Sequence, residues 1–125
     1  VDSARRLAQT NSSTVELGND PVAAARNADV VYTDAWVSMG LENEAQNRRK
    51  VFEEYRVDAE LMAHAKPEAI FMHCLPAHRG DEVDDEVIDS QQSVVFDQAE
   101  NRLHTQKALL VLLLRGDSAF SEIST

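Results

Sequence analysis

Three short apolar runs, rich in β-branched and aromatic residues and separated by helix-like segments, constrain this chain more than any other feature. They are Asp29-Val30-Val31-Tyr32-Thr33, Ala69-Ile70-Phe71-Met72-His73-Cys74 and Ser93-Val94-Val95-Phe96. Runs of this kind read as strands buried in a sheet. Strands that alternate with helices require right-handed crossovers, and so a parallel sheet. The expected fold is α/β, a doubly wound parallel sheet flanked by helices. Each run ends in polar side chains: Asp34 after the first, His73 and Cys74 at the end of the second, Asp97 after the third. A parallel sheet gathers such residues along one edge, where open α/β sheets bind their ligands.

The segments between the strands carry their own punctuation. Residues 3–9 read as a helix end, stopped by Thr10-Asn11-Ser12-Ser13, and residues 14–17 as a short strand. Gly18-Asn19-Asp20-Pro21 is a turn in which Asp20 can cap a helix over 22–27 and Pro21 suits its first position. Residues 42–56 predict a charged helix with a Glu44–Arg48 pair and a thin apolar stripe of Ala45, Phe52 and Tyr55. Asp58 is placed to cap a second helix over 59–65, and residues 84–89 predict a third. The last helix is read over 100–115, with Leu103, Leu110 and Leu114 on one face and Gly116 at its C-cap. One domain over 1–115 and a frayed tail over 116–125 are expected.

Charge and cysteine content narrow the function classes. The net charge is −10, from 22 acidic and 12 basic residues. That balance argues against a nucleic-acid surface, which needs clustered Lys and Arg, and suits solubility or a small cationic substrate. The longest apolar run, Ala108 to Leu114, falls far short of the ~20 residues that span a bilayer. A single cysteine cannot form an internal disulfide, which points to a reducing compartment, the cytoplasm. The chain opens Val-Asp-Ser-Ala-Arg-Arg without Met and in a helix-like pattern, as a piece of a longer polypeptide would.

The stretch Phe71 to Val83 holds the densest chemistry. Leu75-Pro76 stops the strand just after His73 and Cys74, and His78, Arg79, Gly80, Asp81 and Glu82 follow in a polar loop. A lone cysteine is more often a small core residue than a reactive group. Its position beside a histidine at a strand end favours chemistry. His73 and Cys74 do not suit a metal pair, because adjacent strand residues point to opposite faces. His64 and His104 lack ligand spacing and read as surface residues. Trp36 reads as packing, and His78, Arg79 and Asp81 as a loop salt-bridge network. Ser38 lacks the Gly-x-Ser-x-Gly setting of a nucleophile elbow.

Taken together, Asp34-Ala-Trp-Val-Ser38-Met39-Gly40, His73-Cys74-Leu75-Pro76 and Asp97-Gln98-Ala99-Glu100-Asn101-Arg102 closely resemble the ornithine-binding half of the ornithine carbamoyltransferases. The resemblance runs from about Val1 to Leu114. It implies a Rossmann-like domain truncated at its N-terminus, lacking its first strand. It implies that Asp34, Ser38 and Met39 contact ornithine, that Cys74 holds or deprotonates the δ-amine, and that the Leu75 carbonyl meets the carbamoyl amide. Arg102 would polarise the carbamoyl carbonyl or hold carbamoyl phosphate. His73 and Pro76 would support the site, and the Leu75–Pro76 bond would be cis. No metal or organic cofactor is implied.

The family's Ser-x-Arg-Thr-Arg and His-Pro-x-Gln motifs are absent, so a partner N-terminal carbamoyl-phosphate domain is expected to be missing. The family implies a homotrimer, citrulline and phosphate as products, and a place in arginine metabolism whose direction stays open. The chain alone is expected to be inactive. Two other readings stay open: a transcarbamoylase for a related amine, and a non-catalytic amino-acid-binding or assembly fragment.

Overall fold

The computed structural model describes residues 1–37 and 42–115. The chain runs α1 (Asp2–Thr10), α2 (Pro21–Ala25), β1 (Val30–Thr33), α3 (Ala45–Phe52), α4 (Ala59–Met62), β2 (Ile70–His73), α5 (Asp85–Ile88) and α6 (Val95–Arg115). Two 3-10 turns, Glu42–Glu44 and Glu53–Tyr55, flank α3. The charged segment expected as one helix is therefore broken at both ends. Its Glu44–Arg48 ion pair forms at 3.0 Å. The half-buried Phe52 ring lies 6.1 Å from Trp36 and 6.2 Å from Tyr55, which gives Trp36 the packing role expected of it.

Local capping works as the sequence predicts. The Asp20 carboxylate accepts the Ala23 N–H at 3.0 Å, with Pro21 at the helix start, and the Asp58 carboxylate accepts the Leu61 N–H at 2.8 Å.

β1 and β2 pair in parallel, with Val30 opposite Ile70 and Thr33 opposite His73. The pleat sends Val31, Thr33, Phe71 and His73 to one face and Val30, Tyr32, Ile70 and Met72 to the other. The first face meets the core, where Phe71 packs with Ala25, Val57, Leu61, Met62, Val83, Val87, Ile88 and Val95. These residues come from α2, α4, α5, the start of α6 and two connecting segments. The other face is open: Val30 is 46% and Tyr32 52% exposed. β1 is thus half-covered rather than buried on both faces.

Two expected strands are absent among the described residues. Residues 14–17 have no regular structure, and Val15 and Leu17 are exposed. The run at 93–96 contributes a single bridge, between Ser93 and Phe71. There the Phe71 N–H donates to the Gln92 carbonyl at 2.8 Å, and the Val94 N–H to the Phe71 carbonyl at 3.0 Å. The Val94 carbonyl then accepts the Gln98 N–H at 2.9 Å, so helix geometry takes over immediately. Asp97 consequently sits on α6, exposed, rather than at a strand end. The Gly116 cap and the tail at 116–125 lie outside the described residues.

Candidate functional site

The two paired strands end together, and each delivers one group to the same place. Asp34 follows Thr33 of β1, and Cys74 follows His73 of β2, directly across the ladder. The Cys74 thiol donates to Asp34 Oδ1 at 2.9 Å, and the Ala35 N–H donates to the same oxygen at 2.7 Å. The bond from Cys74, then that from Ala35, holds the Asp34 carboxyl below the usual carboxylate range. The same bond from the carboxylate, with partial burial, pushes the Cys74 thiol up. The pair therefore rests as thiol and carboxylate, and the thiolate that Cys74 would need in order to deprotonate the δ-amine is disfavoured while Asp34 keeps its charge. In this state the carboxylate is the acceptor and the thiol orients it.

Behind this pair lies a polar scaffold. His73 is fully buried on the inner face of β2. Its backbone N–H donates to Gln98 Oε1 on α6 at 3.1 Å, and the Gln98 amide donates to the Tyr32 hydroxyl on β1 at 3.1 Å. Gln98 thus ties α6 to both strands. The Leu75 N–H turns back to His73 Nδ1 at 2.8 Å, and Leu75 sits at φ +53°. A left-handed conformation is unfavourable for a leucine and needs support from its surroundings. The Leu75–Pro76 peptide is cis, as the resemblance implies.

The loop that follows is pinned at several points, though not as one network. The His78 N–H donates to the buried Glu82 carboxylate at 2.6 Å. Asp81 pairs with Arg49 at 2.6 Å, while Arg79 turns away to Asp85 and Asp89 of the α5 region. Gly80, at φ +83°, makes the tight turn that lets its N–H reach the Val83 carbonyl at 2.9 Å. Val57 then brackets the loop end, donating to the Glu82 carbonyl and accepting from the Asp84 N–H, both at 3.1 Å.

The sequence-predicted site residues fall into three groups. Asp34, His73, Cys74, Leu75 and Pro76 come together at the strand ends. Ser38 and Met39 lie outside the described residues. Arg102 lies well inside α6, exposed, rather than in the first turn of the helix expected over 100–115, and it makes no hydrogen bond or ion pair among the described residues. Glu82, Gln98 and Tyr32 were not singled out by sequence reasoning as site residues. Gln98 falls within the Asp97-to-Arg102 motif, which pointed to it; for a buried Glu82 no local signal existed. His64 and His104 are surface residues, the latter 3.3 Å from Glu100.

Residues 1–113 match the family model for the aspartate/ornithine carbamoyltransferase Asp/Orn binding domain. The ornithine carbamoyltransferase of Thermococcus kodakarensis is 59% identical over 113 residues, covering 90% of this chain and 36% of that protein. The anabolic ornithine carbamoyltransferase of Pyrococcus furiosus is 58% identical over 113 residues, with the same shares of 90% and 36%. The solved ornithine carbamoyltransferase structure from Pyrococcus furiosus superposes with a TM-score of 0.85 at 56% identity, over 92% of this chain and 37% of that one. The chain thus spans about a third of the length of these relatives, and its fold is that of their Rossmann-like domain, a parallel sheet with flanking helices.

Proposed function

The chain belongs to the aspartate/ornithine carbamoyltransferase family, and on that premise we propose that it carries the ornithine half-site of an enzyme that transfers a carbamoyl group from carbamoyl phosphate to the δ-amine of L-ornithine. The products are L-citrulline and phosphate. Residues 1–115 would be the ornithine-binding domain and 116–125 a tail. The observation that carries this reading is the Cys74–Asp34 bond of 2.9 Å at the joined carboxyl ends of β1 and β2.

The chemistry fits that pair. An alkyl ammonium holds its proton at pH 7 and is not a nucleophile. Asp34, held in its charged form, pairs with the incoming ammonium, and the thiol keeps the carboxylate aligned. The ammonium gives a proton to the Asp34 carboxylate, the amine lone pair attacks the carbamoyl carbon, and the second proton on the attacking nitrogen leaves with the departing phosphate. The carbonyl π electrons move to oxygen, then return as the bond to the phosphate oxygen breaks and phosphate leaves. The Leu75 carbonyl would receive the carbamoyl amide, with Ser38 and Met39 holding the amino-acid end. Arg102 would stabilise the oxyanion when α6 and the rest of the enzyme are assembled. No metal or organic cofactor enters this scheme.

The phosphate-binding groups would come from a separate N-terminal domain of the complete protein, which we take to be a cytoplasmic homotrimer. Among the described residues no helix is long and apolar enough to cross a membrane. The test is a citrulline assay on the 125-residue chain and on the complete protein, with ornithine and an Nα-acylated ornithine as alternative acceptors. Citrulline should form only with the complete protein and with free ornithine. A complete protein that makes no citrulline would overturn the reading in favour of a non-catalytic binding fragment. A preference for the acylated amine would move it to a related transcarbamoylase.

A further inference from the structure

Two polar side chains buried behind the thiol have no work in the reaction as written above. We infer that Glu82 is a positioning residue for the Cys74–Leu75 turn, and that it acts by fixing which ring nitrogen of His73 carries the proton. The inference rests on the carbamoyl-transfer reading, since its effect on rate is felt at the ornithine site.

His73 and Glu82 are both 0% exposed, the only polar residues among the buried set of the described chain. A carboxylate in such a place needs partners, and its removal from water is otherwise unfavourable. Glu82 Oε1 accepts the His78 N–H at 2.6 Å and lies 3.4 Å from both His78 Nδ1 and His73 Nε2. Its backbone carbonyl accepts the Val57 N–H. The carboxylate is therefore fixed in place independently of His73.

His73 faces two different neighbours. Nδ1 accepts the Leu75 N–H at 2.8 Å, so it must present a lone pair, and the ring proton belongs on Nε2. Nε2 looks toward Glu82 Oε1. The 3.4 Å separation and its direction do not make a hydrogen bond, and Nε2 is otherwise unpartnered. The attraction is electrostatic, yet it is selective. With the proton on Nε2, a partial positive charge faces the carboxylate. With the proton on Nδ1, a lone pair would face it, and two N–H donors would collide at Leu75. Low local polarity enlarges this difference.

The consequence runs outward along the chain. The Leu75 N–H bond holds Leu75 at φ +53°, a conformation leucine does not choose unaided. Leu75 follows Cys74 directly, and the direction of the thiol toward Asp34 depends on that backbone. Glu82 thus reaches the site through His73 and Leu75 and touches no substrate itself.

The test is a double-mutant cycle in the complete protein that carries this chain, using Glu82→Gln and His73→Asn. An asparagine at 73 keeps an oxygen acceptor for the Leu75 N–H and has no ring tautomer to choose. Glu82→Gln should lower kcat by up to about a hundredfold, as small misplacements of reacting groups do, with little change in KM for carbamoyl phosphate. In the His73→Asn background the same substitution should cost little. In a 15N spectrum of histidine-labelled protein, the signal lost in His73→Asn assigns the ring. That ring should be a pure Nε2–H tautomer in the parent and a mixture in Glu82→Gln. Glu82→Asp, which keeps the charge, should retain the pure tautomer and decides the matter if Glu82→Gln does not fold. An unchanged ring signature, or additive losses in the cycle, would overturn the inference. If the parent makes no citrulline, the functional reading fails, and the ring signature still decides this one.

Discussion

Strand β2 and helix α6 touch each other, yet they are packed on opposite terms. β2 places Phe71 and His73 fully inside the molecule. α6, with its 21 residues, buries only Val95, while Leu103, Leu109, Leu110, Leu113 and Leu114 are all more than half exposed. The helix earns its place through its first turn, where Val95 enters the core and Gln98 reaches His73 and Tyr32. The difference teaches where the site draws its rigidity. The turn that presents Cys74 stands on a closed, local core, and the outer two-thirds of α6 adds little to it.

The strongest way to break that contrast is to cut into β2. Phe71→Ala should destabilise the chain by about 3–5 kcal/mol, the usual loss for emptying a buried aromatic site, read from the urea midpoint. A loss below about 1 kcal/mol would mean that β2 is not the centre of the core. The next effect is smaller. Asp58→Ala removes the cap of α4, which brings Leu61 and Met62 to the same core. It should cost about 1 kcal/mol in the same assay, and no measurable change would uncouple α4 from β2.

The thiol–carboxylate pair sharpens the contrast through pH. Asp34 titrates below its unfolded value, so its share of stability is present above that value and is lost as pH falls through the folded pKa. Cys74 titrates above its unfolded value, so its share is present below that value and is lost as pH rises through the folded pKa. The pair therefore stabilises most between about pH 4 and pH 8.5. The stability difference between the parent and Asp34→Asn should shrink on both sides of that window. A difference that stays flat from pH 3 to pH 10 would show that the bond is not coupled to folding. Asp34→Asn should also lower the pH at which iodoacetamide labels Cys74. The smallest effect belongs to α6: Leu110→Ala should fall within about 0.5 kcal/mol at low protein concentration. A loss as large as that of Phe71→Ala would mean that this face is covered after all.

Much of this arrangement was legible from local sequence. Asp20 and Asp58 cap helices where the spacing places them, and the cores of β1 and β2 lie inside the predicted runs. Asp34 and Cys74 were readable because strand ends in a parallel sheet converge. The misreadings have physical causes. Ser93-Val94-Val95-Phe96 has strand-like composition, but Phe71 satisfies only one bridge there before the helix starts. Moving the helix start to Val95 also carried Arg102 from the first turn of the expected helix to well inside it. Val30 and Tyr32 looked like core because composition does not tell how many faces of a strand are covered. Glu82 was invisible because a carboxylate is normally outside, and its burial follows from contacts with His73, His78 and Val57 that only the fold supplies.

The order in which these contacts can form has a kinetic consequence. The Leu75 bond to His73 spans two residues and the His78 bond to Glu82 spans four, whereas Asp34 reaches Cys74 across forty. Short loops close quickly, and parallel pairing between distant strands is slow. A refolding chain should therefore complete the turn around Cys74 before β1 brings the carboxylate. During that interval the thiol lacks the partner that raises its pKa, and it is at its most reactive. Pulsed alkylation during refolding should label Cys74 early and stop as β1 docks. Protection of β1 in hydrogen exchange that precedes any alkylation of Cys74 would show that the two strands pair first.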